Sequence, residues 1–170
     1  MELLLHGSAE ELIRAEWRRL AEAGLPSLAS HTAASNRPHV TLAAAPAIPG
    51  DHDHLLGDVF RRWLDLRFGG HAIFATGHYF VLARLVMASD ILLDVHARIH
   101  RILEEVPGMA RNTIPGFWTP HVTIARRMSA AQVGAGLTLL GTNSFEAGVG
   151  GIRRWDSHER TVISLADYCA

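Results

Sequence analysis

One residue type is missing from this sequence: lysine does not occur, and all 16 residues counted as Lys or Arg are arginine. Lysine-dependent chemistry is therefore excluded. A Walker loop would have no lysine for the β- and γ-phosphates, no Schiff base can form, and no lysine can carry a covalent nucleotide as in ATP-dependent ligases. A GC-rich genome would produce the same arginine usage, and the exclusions hold whatever its origin. Cysteine is nearly absent: the single Cys169 argues against disulfides, a thiolate-rich zinc site or a buried cysteine nucleophile. A positive excess is also lacking. With a net charge of -1 the chain is not built to wrap a long nucleic acid, although a small or terminal anionic ligand still fits. No apolar run reaches the roughly 18 residues that span a bilayer, and the opening MELLLH is too short for a signal-peptide core, so the expectation is a cytosolic protein without membrane contact. What is present, 170 residues with 48% apolar and 19% charged, suits one domain over 1–170.

Periodicity divides the chain into alternating elements. Residues 1–6 read as a strand, and Ser8 with Glu11 forms a capping box for a helix whose apolar face is Leu12, Ile13, Trp17 and Leu20, ended by Gly24 and Pro26. Pro38 steers HVTLAAA into a strand that stops at Pro46 and Pro49. Asp51 or Asp53 caps a second helix carrying Leu55, Leu56, Val59, Phe60, Trp63 and Leu64. RFGGHAIFAT and HYFVLARLV form a hairpin about Gly77, and Ser89 or Asp90 caps a long helix with Leu92, Val95, Ile99, Ile102 and Val106 on one face. HVTIARRM is a further strand, Ser129 with Gln132 caps a helix through Leu140, and strands near 143–154 and 159–167 flank the turn-prone DSHE at 156–159. Neighbouring strands must pair by hairpin, which favours an α+β fold with antiparallel or mixed sheet.

Within this pattern Pro38-His39-Val40-Thr41-Leu42-Ala43 recurs as Pro120-His121-Val122-Thr123-Ile124-Ala125, identical at five of six positions and half a chain length away. Chance would give such a match on the order of once in a hundred sequences. The spacing is too long for a solenoid unit and points to two pseudo-symmetric halves. By the strand period of two, His39 and Thr41 share one face while Val40 and Leu42 take the other, and the second copy repeats this. If the halves face each other, two imidazoles and two hydroxyls line one cleft. Imidazoles near their ordinary pKa of about 6.5 can divide general-base and general-acid work. The hydroxyls can hold the non-reacting oxygens of a phosphodiester, and no metal is required.

Paired H-x-T motifs in two halves of a chain this size resemble the two-histidine (2H) phosphoesterase superfamily. The forms PHVTLA and PHVTIAR are similar to its bacterial branch of 2'-5' RNA ligases and RNA 2',3'-cyclic phosphodiesterases. The resemblance implies a bilobal α+β fold, with two pseudo-symmetric lobes of mainly antiparallel sheet and outer helices around a central cleft. It also implies metal-free, cofactor-free hydrolysis of a 2',3'-cyclic phosphate, with reverse ATP-independent joining. It makes His39 and His121 the acid-base pair and Thr41 and Thr123 the phosphate-oxygen donors, with His121 activating water by analogy. The expected partner is an RNA terminus or small cyclic nucleotide, bound by a monomer with no obligate protein partner. Candidates for phosphate charge are Arg37, Arg126 and Arg127, and for base stacking Phe117 or Trp118. In an unbroken strand Arg126 points away from His121, so either Arg127 serves or the strand has ended by then.

Other features have simpler readings. His96 and His100 lie four apart on a helix, a metal-ligand spacing, yet no carboxylate motif accompanies them, and they read as flanking the core stripe. Asp51, His52, Asp53 and His54 read as a helix N-terminus, and Arg153 and Arg154 as surface, with reaching the cleft as the alternative. Two alternatives stay open. With 11 histidines the chain would suit a metal-dependent hydrolase or metal-binding protein, identified by stoichiometric zinc or nickel. A non-catalytic module that recognises a nucleotide or RNA end would bind tightly without turnover.

Overall fold

The strand nearest the start of the chain is the one on which the sheet closes. In the computed structural model, which describes residues 1–59, 64–156 and 159–168, the elements run β1 (Glu2–Leu5), α1 (Gly7–Glu22), β2 (His39–Thr41), α2 (Asp53–Asp58), β3 (Asp65–Thr76) and β4 (Tyr79–Val86). They continue with α3 (Asp90–Ile102), β5 (His121–Met128), α4 (Ala130–Leu140), β6 (Phe145–Asp156) and β7 (Thr161–Asp167). The strands follow the order β1-β2-β5-β4-β3-β6-β7, and β1 also pairs with β6, so six strands form a ring that β7 extends. Every pairing is antiparallel, as the α+β class implies.

The apolar faces of α1 (Ile13, Trp17, Leu20) and α3 (Leu92, Val95, Ile99) join Leu3, Val40 and Val122 in one continuous core. Fully burying such a side chain contributes about 1.5–3 kcal/mol. A one-residue slip of β2 or β5 would forfeit that and drive His and Thr into the core, so burial fixes which face carries the motif. Gly77, at φ +59, makes the two-residue β3–β4 turn between Thr76 and Tyr79. At Gly150 a bulge lets β1 and β6 approach so closely that an added Cβ would sit 2.5 Å from the Leu5 carbonyl oxygen.

Several local expectations are corrected. Helix α1 begins at Gly7 with His6 at its N-cap, so Ser8 lies inside the first turn and the Ser8–Glu11 capping box does not form. Leu12 is exposed; the buried stripe is Ala9, Ile13, Glu16, Trp17 and Leu20. Strand β2 is three residues long rather than seven, because past Thr41 the amides of Leu42 and Ala43 turn to the Met1 carbonyl, and that of Ala44 to the Thr113 hydroxyl. Helix α2 ends at Asp58, and its Asp53 is no cap: the carboxylate grips Arg154 at 2.7 and 2.8 Å. Residues Phe60, Trp63, Ser157, His158 and Cys169 lie outside the described residues. Ser89 caps α3, and the Ser129–Gln132 capping box of α4 forms as the sequence predicts. Among the described residues no helix is long and apolar enough to cross a membrane.

Candidate active site

Strands β2 and β5 are neighbours, paired through Val40 and Val122. In an antiparallel ladder this register sets His39 across from Thr123 and Thr41 across from His121. Both valines are fully buried, whereas the two histidines and two threonines are half-buried on the opposite face. The four side chains thus form a two-by-two array about a local pseudo-twofold axis between the valines.

The symmetry extends to the supports. Nδ1 of His39 lies 2.7 Å from the Arg37 carbonyl and Nδ1 of His121 lies 2.7 Å from the Thr119 carbonyl. A carbonyl only accepts, so each Nδ1 carries the proton and each Nε2 of the neutral ring keeps its lone pair. Both acceptors precede a proline, Pro38 or Pro120, which favours the extended backbone that turns the carbonyl back to the ring. Each threonine carbonyl also receives an indole: Trp118 Nε1 donates to Thr41 at 2.9 Å and Trp17 Nε1 to Thr123 at 3.1 Å.

The imidazoles differ in their neighbours. Burial lowers the pKa of His39, opposed by the Glu2 carboxylate and the Arg37 carbonyl and aided by Arg153 and Arg126. Burial likewise lowers that of His121, with the Thr119 carbonyl opposing and His39 and Arg126 assisting. Glu2 Oε1 stands 3.5 Å from His39 Nε2, while His121 packs against the Phe74 ring at 4.6 Å between centroids.

A bulge resolves the question of Arg126. The β4–β5 register shifts between Leu82 and Ala83, so Ile124 and Ala125 are buried in succession and the alternation slips by one. Arg126 then emerges beside His39 and Thr41, lining a cleft of about 230 Å³ with Glu2, Arg154 and Trp155. The strand is therefore neither unbroken nor ended. Arg127 takes φ +57 at a second irregularity and does not line this cleft. Arg37 is held by Glu10 at 2.6 and 3.0 Å and faces an adjoining groove of about 820 Å³. Phe117 is exposed, with the Arg111 guanidinium 4.5 Å from its ring, and lines neither cavity. Trp118 is committed to support: one face stacks on His96 at 3.8 Å while its Nε1 holds Thr41, so it braces β2 instead of meeting a base.

His96 and His100 are structural too. Nε2 of His96 donates to the Thr113 carbonyl at 2.8 Å and Nε2 of His100 to the Leu42 carbonyl at 3.0 Å. His96 is buried rather than flanking, and burial, reinforced by His100, pushes its pKa down to about 4. Among the described residues no three His, Cys, Asp or Glu side chains converge as metal ligands. Arg153 and Arg154 are buried, not surface: Arg153 pairs with Glu2 at 2.6 Å and Arg154 with Asp53.

Sequence reasoning passed over Glu2 and Trp155. The available signal was Glu2, one carboxylate in the otherwise apolar run MELLL, which must find a partner if the strand is interior. Trp155 lines both the cleft and the groove, whose wall also carries Arg37, Arg153 and Arg160.

Comparison with known proteins bears on the fold and the family. Among curated proteins none matches the sequence. The fold is similar to that of TT0787 of Thermus thermophilus, with a TM-score of 0.60 at 18% identity over 98% of this chain and 94% of that one. It is also similar to Usb1 of Kluyveromyces marxianus, with a TM-score of 0.53 at 12% identity over 97% and 94%. The family profile of the 2'-5' RNA ligase superfamily matches residues 9–161, which take in both H-x-T strands. With nearly the whole length matched and two imidazoles presented as a pair, this chain belongs to the 2'-5' RNA ligase superfamily of two-histidine phosphoesterases.

Proposed function

We propose that the protein is a metal-independent phosphodiesterase that opens the 2',3'-cyclic phosphate at an RNA end or on a nucleotide, with 2'-5' joining as the reverse reaction. One observation carries this reading: two imidazoles, each with Nδ1 tied to a carbonyl and Nε2 left without a proton of its own, stand diagonally across from each other with a threonine beside each. In the forward reaction one Nε2 removes a proton from water as its oxygen bonds to phosphorus. The other donates a proton to the ribose oxygen as the phosphorus–oxygen bond of the ring breaks. Thr41 and Thr123 donate to the non-bridging oxygens and Arg126 offsets their charge. The family of RNA ligases to which the chain belongs favours an RNA end as substrate. Its nucleoside portion would enter the groove past Trp155, whose indole offers a stacking surface. In this reading the chain is a single-domain cytosolic monomer that requires no cofactor.

The test is hydrolysis of the four nucleoside 2',3'-cyclic monophosphates by EDTA-treated protein beside His39→Ala and His121→Ala, with the product phosphate position read by phosphorus NMR. Turnover that survives EDTA and is lost in both variants is the expected result. Substantial activity in either variant, or full dependence on added metal, overturns the reading. Tight binding without turnover on cyclic-ended RNA oligomers as well would favour a recognition module.

A further inference from the structure

Hydrolysis requires unlike roles from two imidazoles that the repeated motif presents alike. What distinguishes them comes from the strands on either side. Next to β2 runs β1, which puts Glu2 across from Thr41; next to β5 runs β4, which puts Leu85 across from His121. Glu2 is itself flanked on its other side by Arg153 of β6. Its Oε2 accepts from Arg153 Nε at 2.6 Å, and Arg153 is further anchored to the Ser35 carbonyl at 2.8 Å. The carboxylate is thereby held with Oε1 3.5 Å from His39 Nε2, the nitrogen that must handle a proton. Among the described residues no carboxylate stands within ion-pair distance of His121, which meets the Phe74 ring instead.

We propose that Glu2, held in place by Arg153, is the positioning residue that makes His39 the proton donor and leaves His121 to take the proton from water. The assignment rests on the phosphodiesterase reading given above. A carboxylate facing Nε2 favours the imidazolium, whose Nε2–H can pass to the leaving oxygen; a neutral ring beside phenylalanine is suited to accept. The other charges facing His39 are Arg153 from β6, and Arg126 and His121 from β5, all of which disfavour a second positive charge, so Glu2 is the one side chain that opposes them. Around Glu2 itself lie Arg153, Arg154 and the Met1 amino group, whose pKa burial lowers to about 6. Each turnover leaves His121 protonated and His39 neutral, and exchange with solvent restores both.

The test is Glu2→Gln, which keeps an acceptor for Arg153, with Glu2→Asp as the conservative variant. NMR titration of the histidines should show the proton affinity of His39 falling tenfold or more in Glu2→Gln, with that of His121 changing less than about twofold. On a 2',3'-cyclic nucleotide, the descending limb of the kcat/KM profile should move to lower pH by the same factor. The ascending limb should stay, and Glu2→Asp should restore part of the shift. An unmoved His39, equal movement of both rings, or a displaced ascending limb overturns the assignment. If wild type turns over no cyclic phosphate, the phosphodiesterase reading falls and the proton-donor role with it. Turnover with an unmoved descending limb overturns the role of Glu2 alone.

Discussion

Strands β2 and β5 carry the same motif, and most of what holds them is the same. Both histidines bond the carbonyl two residues back, both threonine carbonyls receive an indole, and both valines are sealed in the core. Their outer neighbours differ. β2 borders a strand that brings a carboxylate pinned by arginine, whereas β5 borders one that brings leucine, and Phe74 of β3 packs on its histidine. The supports differ in kind as well: Trp118 leans on the buried His96 of α3, whereas Trp17 projects from α1. Duplication thus supplies two alike strands, and unduplicated surroundings make their histidines' environments unlike.

The comparison breaks most sharply at the histidines. His39→Ala and His121→Ala should each lower kcat/KM on a cyclic nucleotide by about 10²–10⁴-fold. On a p-nitrophenyl phosphodiester, whose leaving group needs no proton, His39→Ala should retain most activity while His121→Ala loses it. Release of p-nitrophenolate reads the difference, and equal losses would mean that the roles are not divided as argued. At the threonines the halves should behave alike: Thr41→Ala and Thr123→Ala should each cost about ten- to a thousandfold in kcat, with Tm little changed. Near-normal kinetics in one would show that the phosphate sits against one strand only.

Acid should then separate the two strands. His96 folds with a pKa of about 4 against an ordinary 6.5, so between those values the unfolded chain binds the extra proton. Its contribution is complete above pH 6.5 and is lost as pH falls towards 4, about 3 kcal/mol in all. Denaturant unfolding across this window should flatten in His96→Gln, and hydrogen exchange should show β2 opening before β5. The smallest effects belong to the indoles. Trp118→Phe should cost about 1 kcal/mol, the worth of one hydrogen bond to a partly buried carbonyl, and Trp17→Phe somewhat more, because it also opens a cavity in the core. Trp118→Phe alone should also change the titration of His96.

Much of this arrangement was legible in the sequence because it depends on local pattern. Period two placed His39, Thr41, His121 and Thr123 on a polar face, and three-four spacing located the core face of α3 with Leu92, Val95 and Ile99. The cap of α4 was legible because its donor and acceptor lie three residues apart. Glu2 was not, since its meaning depends on β6, which the chain reaches only near its end. Arg153 and Arg154 resemble surface charge until both faces of β6 are seen to be covered. Arg126 eluded the parity rule because a bulge depends on the partner strand, and no residue type in ARRM announces it.

The closing of the ring through β1 also has a kinetic side. A growing polypeptide can form the β3–β4 hairpin early, but β1 finds its second partner only when residues 149–153 have been made. This is among the longest loop closures available to the chain, and such contacts are slow to form and the last to be rewarded. Glu2 and Arg153 meet only in that final step. Nascent or partly unzipped molecules can therefore hold both histidines, and Glu2 beside one of them through β2, and still lack the arginine that pins this carboxylate, so the difference between the two motif strands is completed only with the fold and is the first feature lost when the ring opens.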